Sequence, residues 1–340
     1  MIIFICIGMI VFVTQTNHAN EDNQSSEEII FNMATLAPKG IGWAKNIKDI
    51  IQPELKRISN GQINLKWYWS GTLGDDNESI RHMQTGRIDG CALTGYGTLL
   101  ACPDMAVLEL PFMFNNYQEV DYIRETMYET FEKSFIKNGY KLIAFADQDF
   151  DQLYSTTYQM NTLDDFKKAN ILCWFGDMEK IVLEQFGSHP KMVSILDVGP
   201  NLRQGIADTF ISPSMWIVGS QIYTIMKYVN PIKIRYSPAV TIITLKAWGQ
   251  IPENLQKKLP ELKQVIKNFR LKCRDENERS FKAMLKYGLI ETQMDNATLI
   301  EMKKRAKKLW FELADKMYSR KLLEDVLFHL KEFRAKQKVN

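Results

Sequence analysis

Side chains that could catalyse a reaction or bind a metal are few and scattered in this sequence. His82 lies in a predicted helix among charged neighbours, His189 precedes Pro190, and His329 lies close to the C-terminus. None of them has a second histidine or a cysteine at metal-ligand spacing. The sequence also contains neither a G-x-S-x-G nor a G-x-x-x-x-G-K-[ST] motif. We therefore expect no enzyme activity, no metal and no cofactor.

Acidic residues cluster where a glycine-rich loop meets a predicted helix, at Asp75, Asp76 and Glu78. Negative charge is favoured at a helix N-terminus by the helix dipole, so a structural role accounts for these three residues. Asp89 and Asp208 recur at equivalent places in a repeated unit, which also favours a structural role over a functional one.

That repeated unit spans Glu78–Thr94 and recurs within Ile195–Trp216. Each copy is a helix that ends at a glycine, Gly86 or Gly205, followed by an apolar strand. Two copies predict two lobes built on one plan, with a ligand-binding cleft between them. The alternative is that the repeat only reflects the regular alternation of an α/β protein.

Composition limits the possible classes of protein. The chain has 340 residues, of which 45% are hydrophobic and 24% charged, which suits one large or two medium domains. A net charge of +3 is too small to indicate nucleic-acid binding. The five cysteines form no CxxC pair, and although Cys91 and Cys102 could form a disulfide, we expect buried free thiols.

Strands alternate with helices as far as about residue 245, which predicts an α/β fold with mostly parallel sheets and a helical C-terminal region. We expect the chain to cross between lobes near Phe150, near Tyr236 and along a C-terminal helix. The predicted lobes comprise residues 29–149 plus about 237–277, and about 150–236 plus about 278–340.

Several local predictions rest on proline and glycine positions. The expected elements are a strand over Pro190–Leu196, a turn at Gly199-Pro200, a helix from Asn201, a helix from Trp216 to about Val229, and separate strands at Ile232–Tyr236 and Ala239–Leu245.

The N-terminal region predicts export. Ile2–Val13 is apolar but too short to span a bilayer, and a short polar stretch ending at Ala19 follows it. We therefore expect residues 1–19 to be a signal peptide and the protein to be periplasmic. No later segment is long and apolar enough to cross a membrane.

Five further segments share one recognisable order along the chain: ATLAPKGIGW at Ala34–Trp43, WSGTLGDDNESIRHMQTGRIDG at Trp69–Gly90, LELPFMFNNYQEV at Leu108–Val120, TLDDFKKANILCW at Thr162–Trp174, and LRQGIADTFISP at Leu202–Pro213. Together they resemble the substrate-binding proteins of TRAP transporters, the DctP type of extracellular solute-binding family 7. The resemblance implies a two-lobe, type II-like periplasmic receptor. Such a receptor closes on a small molecule and passes it to a membrane permease that an ion gradient drives.

The chain departs from that family at positions that the resemblance assigns to the ligand. Leu172 stands where the family has an arginine that pairs with a substrate carboxylate, and Gln152 stands where a second arginine is common. Ser212 stands at the position of a usual asparagine. Because leucine cannot form a bidentate carboxylate pair, the resemblance does not extend to the small organic acids that such members bind.

Apolar side chains accumulate around the expected cleft instead. Each could simply pack in a core, but several lie near strand C-termini, where α/β clefts bind ligands. With the three substituted positions they make up the predicted ligand-binding set: Trp43, Trp69, Tyr96, Phe112, Phe150, Gln152, Leu172, Trp174, Ser212, Met215 and Trp216.

The segment ILCWFGD at Ile171–Asp177 is similar to a subgroup that lacks the arginine. Members of this subgroup are thought to take hydrophobic ligands and to work beside a helical-repeat (TPR) partner. We therefore predict a TRAP-type receptor for a neutral or largely apolar molecule, with the permease as a partner. The resemblance to the subgroup also implies a TPR protein as a partner. The alternative is an exported module that senses a ligand and signals to a partner protein.

Overall fold

The computed structural model describes residues 28–337, so the predicted signal peptide lies outside the described residues. Within residues 28–337, nine strands form one continuous sheet. They are β1 (Ile29–Thr35), β2 (Ile63–Tyr68), β3 (Gly90–Leu93), β4 (Tyr140–Ser155), β5 (Ile171–Cys173), β6 (Lys191–Met192), β7 (Thr209–Ser212), β8 (Tyr228–Thr244) and β9 (Ile290–Glu291).

In the described part of the chain, fifteen α-helices surround the sheet. They are α1 (Gly42–Asn46), α2 (Gln52–Ile58), α3 (Asp76–Gln84), α4 (Gly95–Ala101), α5 (Tyr117–Thr126), α6 (Tyr128–Lys137), α7 (Leu163–Lys168), α8 (Asp177–Gln185), α9 (Ile195–Arg203), α10 (Ser214–Gly219), α11 (Leu245–Gln250), α12 (Glu253–Gln256), α13 (Leu262–Tyr287), α14 (Asn296–Leu313) and α15 (Arg320–Gln337). A π-helical segment, Ile47–Ile51, joins α1 to α2. Within residues 28–337, no helix combines the length and the apolar character that a membrane span needs.

Two parallel units lie on either side of a long antiparallel pair. The strand order is β2-β1-β3-β8-β4-β7-β5-β6, with β9 added to one end of β8. Strands β1, β2 and β3 are parallel to one another, and so are β5, β6 and β7. We call these units, with their helices, the first and the second lobe. Both lobes are therefore α/β, as predicted, and one mixed sheet runs through them.

The long strands β4 and β8 carry the chain between the lobes. Near its start β4 pairs with the end of β8, at Tyr140 opposite Thr244, and near its end it pairs with β7. Phe150 lies opposite Tyr236 in this ladder, which is where the sequence predicts the two crossings. The lobe boundaries at these residues remain a prediction.

Helix α13, which has 26 residues, packs along both lobes and forms a third connection between them. Arg274 fixes it to the sheet by donating to Asp147 at 2.7 Å and to Asp121 of α5 at 2.6 and 2.7 Å. Burial alone would raise the pKa of Asp147, but the neighbouring guanidinium groups of Arg124 and Arg274 outweigh burial and lower that pKa. The carboxylate of Asp147 is therefore held ionised between two cations.

Several elements begin and end where the sequence predicts. Asp75 caps α3 by accepting from the backbone N–H groups of Asn77 and Glu78, which confirms its structural role. Gly86 and Gly205 follow α3 and α9 with φ angles of +72° and +68°, the left-handed region that glycine favours. The cysteines Cys91, Cys102, Cys173 and Cys273 are buried free thiols.

Other local predictions were wrong. Ser194 accepts a hydrogen bond from Leu196 N and starts α9 at Ile195, so the predicted strand shrinks to β6 and Pro200 lies inside the helix. The helix expected after Trp216 ends at Gly219 because Gln221 adopts a left-handed φ of +58°.

The two strands expected at 232–236 and 239–245 are one strand, β8. Its register against β4 shifts between Arg235 and Asn230, so the residues between them, Pro231 included, bulge out of the ladder. A bulge is one of the few places where a sheet tolerates proline.

Candidate ligand-binding cavity

A cavity of about 440 Å³ lies between the two lobes. Residues that follow β1 and β3 line it on the first lobe, where parallel strands end and α/β folds bind ligands. On the second lobe, Ile195 lines it together with residues in or just before α10, which are Pro213, Met215, Trp216, Val218 and Gly219. Helix α13 closes one side with Glu276, Arg279, Ser280 and Ala283.

Most side chains that line the cavity are apolar: Leu36, Ala37, Pro38, Ile41, Trp43, Ala92, Leu93, Ile195, Pro213, Met215, Trp216, Val218 and Ala283. The polar ones are Thr35, Thr94, Gln148, Glu276, Arg279 and Ser280. Burial of apolar surface, rather than charge pairing, therefore dominates what this cavity offers a ligand.

Arg279 is the one cation among the described residues that line the cavity. It forms ion pairs with Asp275 at 3.0 Å and with Glu276 at 3.9 Å, and 59% of its side chain is exposed. Glu276 in turn accepts a hydrogen bond from Asn46 of α1 at 2.8 Å. An anionic ligand would have to compete with these two carboxylates for a partly solvated guanidinium.

Gln148 is the polar side chain that β4 contributes to the cavity. Its Oε1 accepts hydrogen bonds from Gly95 N at 2.6 Å and from Ser237 Oγ at 2.9 Å. The NH₂ group of Gln148 is therefore the part of this side chain that can donate a hydrogen bond to a ligand. The carbonyl of Gln148 accepts from Asn277 Nδ2 at 3.1 Å, and Asn277 Oδ1 accepts from Met215 N at 2.9 Å. Asn277 therefore joins α13, β4 and α10 at one edge of the cavity.

Trp216 forms an aromatic wall of the cavity, and Trp174 supports it from behind. The two rings stack with centroids 5.4 Å apart, and Phe210 meets Trp216 edge-on at 6.0 Å. Trp174 is 3% exposed, and its indole Nε1 donates to Ile211 O at 2.8 Å. The orientation of Trp216 is therefore fixed by a layer that belongs to the core of the second lobe.

Of the predicted ligand-binding residues, the structure brings Trp43, Met215 and Trp216 together around this cavity. Tyr96 and Trp174 line a neighbouring cavity of about 280 Å³, which Asp75 and Asp76 make more polar.

The other six predicted residues do not line the main cavity. Phe150 packs between Tyr117 and Tyr236, Trp69 stacks on Trp67, and Phe112 packs against Phe186. Leu172 is completely buried among the apolar residues of the second lobe. Gln152 and Ser212 are also buried, opposite each other in the β4–β7 ladder. In this structure these residues contribute packing, and a contact between them and a ligand remains a prediction.

A buried charge cluster lies behind the cavity. Arg235 of β8 donates to Asp151 at 2.8 Å and to Glu109 at 2.7 Å, and its guanidinium lies 3.6 Å from the centre of the Phe175 ring. Glu179 accepts from the backbone N–H groups of Trp174 and Phe175 at 2.8 and 2.7 Å.

Three carboxyl groups therefore surround one guanidinium in this cluster. Burial raises the pKa of Glu109 to about 8 and that of Asp151 to about 7, and it also raises the pKa of Glu179. Arg235 stabilises the ionised carboxylates but does not outweigh burial. The cluster therefore holds protons near neutral pH, and Asp151 and Glu109 accept the hydrogen bonds that its guanidinium donates.

The lobes touch each other at the mouth of the cleft. Ser194 Oγ, at the start of α9, donates to Asp75 Oδ2, at the start of α3, at 2.9 Å. Tyr96 of the first lobe packs against Gly176 of the second, where an added Cβ would lie 2.4 Å from the Tyr96 ring. The structure therefore shows a closed arrangement in which side chains of both lobes enclose the cavity.

Sequence reasoning missed the contributions of Leu36, Ile41 and α13. Leu36 and Ile41 lie in the loop between β1 and α1, and no pattern distinguishes them from other apolar loop residues. The α13 residues lie in a charged helix that the sequence marks only as solvated. A periodic signal was present, since Glu276, Arg279, Ser280 and Ala283 recur at helical spacing on one face.

Two α/β lobes joined by two long strands, with a cavity between them, form an arrangement that can hold a small molecule. The sequence of residues 34–317 matches the family described as bacterial extracellular solute-binding protein, family 7 (DctP). Since this match covers most of the chain, the protein belongs to that family. It is a solute-binding protein rather than an enzyme.

Curated relatives are distant in sequence. A Haemophilus influenzae protein is 23% identical over 211 residues, which is 62% of this chain and 64% of that protein, slightly less than two thirds of its length. The C4-dicarboxylate-binding protein DctB of Bacillus subtilis is 22% identical over 306 residues, 88% of this chain and 84% of DctB.

A solved structure shows the same fold. The sugar acid binding protein DctPAm of Advenella mimigardefordensis, in complex with galactonate, superposes with a TM-score of 0.83 at 16% identity. The superposition covers 90% of this chain and 99% of that one. At this identity the likeness establishes the two-lobe fold and leaves the ligand open.

Proposed function

We propose that this protein is the periplasmic receptor of a TRAP-type transporter. In this proposal it binds a neutral or largely apolar small molecule between its lobes and delivers it to a membrane permease. The family and the closed two-lobe arrangement support the receptor role. Nothing in the fold or among the relatives favours the alternative, an exported sensing module.

The observation that carries the ligand class is the apolar lining of the interlobe cavity. Apolar surface buried there would contribute about 25 cal/mol per Å² to binding. A carboxylate left without a positive partner in such a place would cost several kcal/mol. The relatives whose names mention C4-dicarboxylate or a sugar acid are under 25% identical to this chain, so their ligands do not transfer directly.

Leu172 and the buried charge cluster around Arg235 also favour an uncharged ligand. The position at which the resemblance places a carboxylate-binding arginine is a leucine packed under the Trp174–Trp216 layer. Arg235, the nearby buried arginine, is already paired with Asp151 and Glu109. We infer from this that the chain belongs to the subgroup that lacks the carboxylate-binding arginine. A TPR protein as a further partner follows from that subgroup alone.

A calorimetric panel tests the ligand class. Small dicarboxylates, sugar acids and neutral apolar compounds are titrated into wild type and into Arg279→Gln. We expect apolar compounds to bind both proteins equally and the acids to bind neither tightly. Tight binding of a small carboxylate that Arg279→Gln abolishes would overturn the proposed ligand class and assign the role of anion partner to Arg279.

A further inference from the structure

A second apolar cavity, of about 90 Å³, lies inside the first lobe directly behind the wall of the interlobe cavity. The sheet strands β1, β2, β3, β4 and β8 line it on one side, and α2, α13 and the π-helical segment line it on the other. Thr241 is the one polar residue among the described residues that line it. A cavity with such a lining stays dry and accepts apolar molecules.

The two cavities share two wall residues, Trp43 and Ala92. Ala92 of β3 offers only a methyl group, so the indole of Trp43 is the main barrier between them. No hydrogen bond fixes the orientation of that indole, because its buried Nε1 has no hydrogen-bond partner among the described residues. Its main aromatic contact is an edge-on packing against Phe269 at 6.0 Å.

The backbone next to Trp43 is also unusual. Gly42 has a φ of +48°, and a Cβ there would lie 3.1 Å from Met215 Sδ of the second lobe. Immediately after α1 the helix widens into a π-helical turn, and two residues of that turn, Ile47 and Ile51, line the inner cavity. Single π-helical turns inside α-helices occur frequently at functional sites. Trp43 therefore lies between a contact with the other lobe and an irregular helix.

We infer that the ligand carries a linear apolar chain, and that this chain passes Trp43 from the interlobe cavity into the inner cavity of the first lobe. The inference rests on the proposed function, because it specifies the class of apolar ligand. A hydroxyl or carbonyl oxygen near the junction would accept from the unpaired Trp43 N–H, whose burial without a partner is costly. The ligand class is thus a long-chain molecule with an oxygen function, such as a fatty alcohol or an acyl derivative.

Chain length provides the test. The n-alkanols from n-butanol to n-decanol are titrated calorimetrically into wild type, Ile143→Phe and Leu65→Phe. Ile143 and Leu65 line only the inner cavity, so a larger side chain at either position fills it. In wild type, affinity should rise about fourfold for each added methylene until both cavities are full.

In the filling variants this rise should stop at a shorter chain, so that n-decanol binds at least tenfold more weakly than to wild type. Binding of the short alkanols reports that each variant is folded with its interlobe cavity intact. Ile136→Phe makes the same substitution at an exposed position of α6, 42% exposed, and should reproduce the wild-type series.

Two results would contradict the inference in different ways. If the chain-length series is the same in wild type and in both filling variants, the inner cavity takes no part in binding, and the proposed function stands without it. If no alkanol of any length binds to wild type, the proposed apolar ligand class fails and the inference fails with it.

Discussion

Replacing Trp216 with alanine should weaken the binding of an apolar ligand far more than it lowers stability. One face of the indole stacks on Trp174 and the other borders the interlobe cavity. If roughly 100 Å² of the 150–250 Å² that a large aromatic side chain buries faces the ligand, its loss costs about 2.5 kcal/mol of binding. That corresponds to an increase in Kd of about 70-fold.

Trp174→Ala is the matched control, because Trp174 lies one layer deeper and does not line the main cavity. Removing a buried tryptophan should lower the free energy of unfolding by about 3–5 kcal/mol. A further ~1 kcal/mol is lost because Ile211 O loses the indole N–H that it accepts at 2.8 Å. Trp216→Ala should therefore act mainly on binding, and Trp174→Ala mainly on stability.

Calorimetry with n-octanol gives the Kd, and urea unfolding monitored by circular dichroism gives the stability. The reasoning is refuted if Trp216→Ala binds n-octanol as tightly as wild type. It is also refuted if Trp174→Ala unfolds like wild type, since Trp174 would then contribute little to the core.

Three further predictions concern the charge cluster, the cleft mouth and the buried leucine. Burial raises the pKa of Glu109 to about 8 in the folded protein, whereas the same carboxyl group in the unfolded chain has its ordinary pKa of 4.5. Between these two pH values the folded protein binds a proton that the unfolded chain has lost, so the free energy of unfolding falls as pH rises. Urea unfolding at pH 6 and pH 8 should show wild type losing up to about 1.4 kcal/mol per pH unit from this group and Glu109→Gln losing less; equal slopes would contradict this. Ser194→Gly removes the 2.9 Å hydrogen bond to Asp75 but keeps an acceptable helix N-cap, so the stability of the fold should be nearly unchanged. Stopped-flow measurements should show that the ligand dissociates about fivefold faster. An unaltered dissociation rate would show that this contact does not hold the lobes closed. Leu172→Arg should lower the free energy of unfolding by several kcal/mol because the guanidinium would lie unpaired in the core, whereas Leu172→Met should cost under about 1.5 kcal/mol; equal stabilities in urea would mean that position 172 reaches solvent or an anion.

The sequence predicts the alternation of strands and helices because each signal is local. Asp75 begins α3, and Gly86 and Gly205 follow helices, through side-chain and backbone preferences that act within one turn. One error arises where two local preferences compete. Pro200 is expected to break a helix. Ser194, however, caps α9 at Ile195, so the helix begins before Pro200 and contains it.

The candidate site is less predictable, because its walls come from distant parts of the chain. Trp43, Met215 and Trp216, three of the residues predicted to bind the ligand, line the cavity from both lobes. Phe150 and Trp69 are predicted at the same cleft, but each packs against a neighbouring aromatic side chain in the core. Glu276 and Arg279 of α13 reach the cavity because Arg274 fixes the helix to the sheet. No local sequence pattern predicts a contact between residues that lie so far apart along the chain.

Mass spectrometry of the molecule that co-purifies with wild type tests the central claim most directly. The protein is purified without unfolding, its intact mass is measured under native and denaturing conditions, and the released molecule is identified. The apolar cavity predicts a neutral or largely apolar compound, with a linear chain, bound in a one-to-one ratio. A small dicarboxylate or sugar acid, released in that same ratio, would contradict the account.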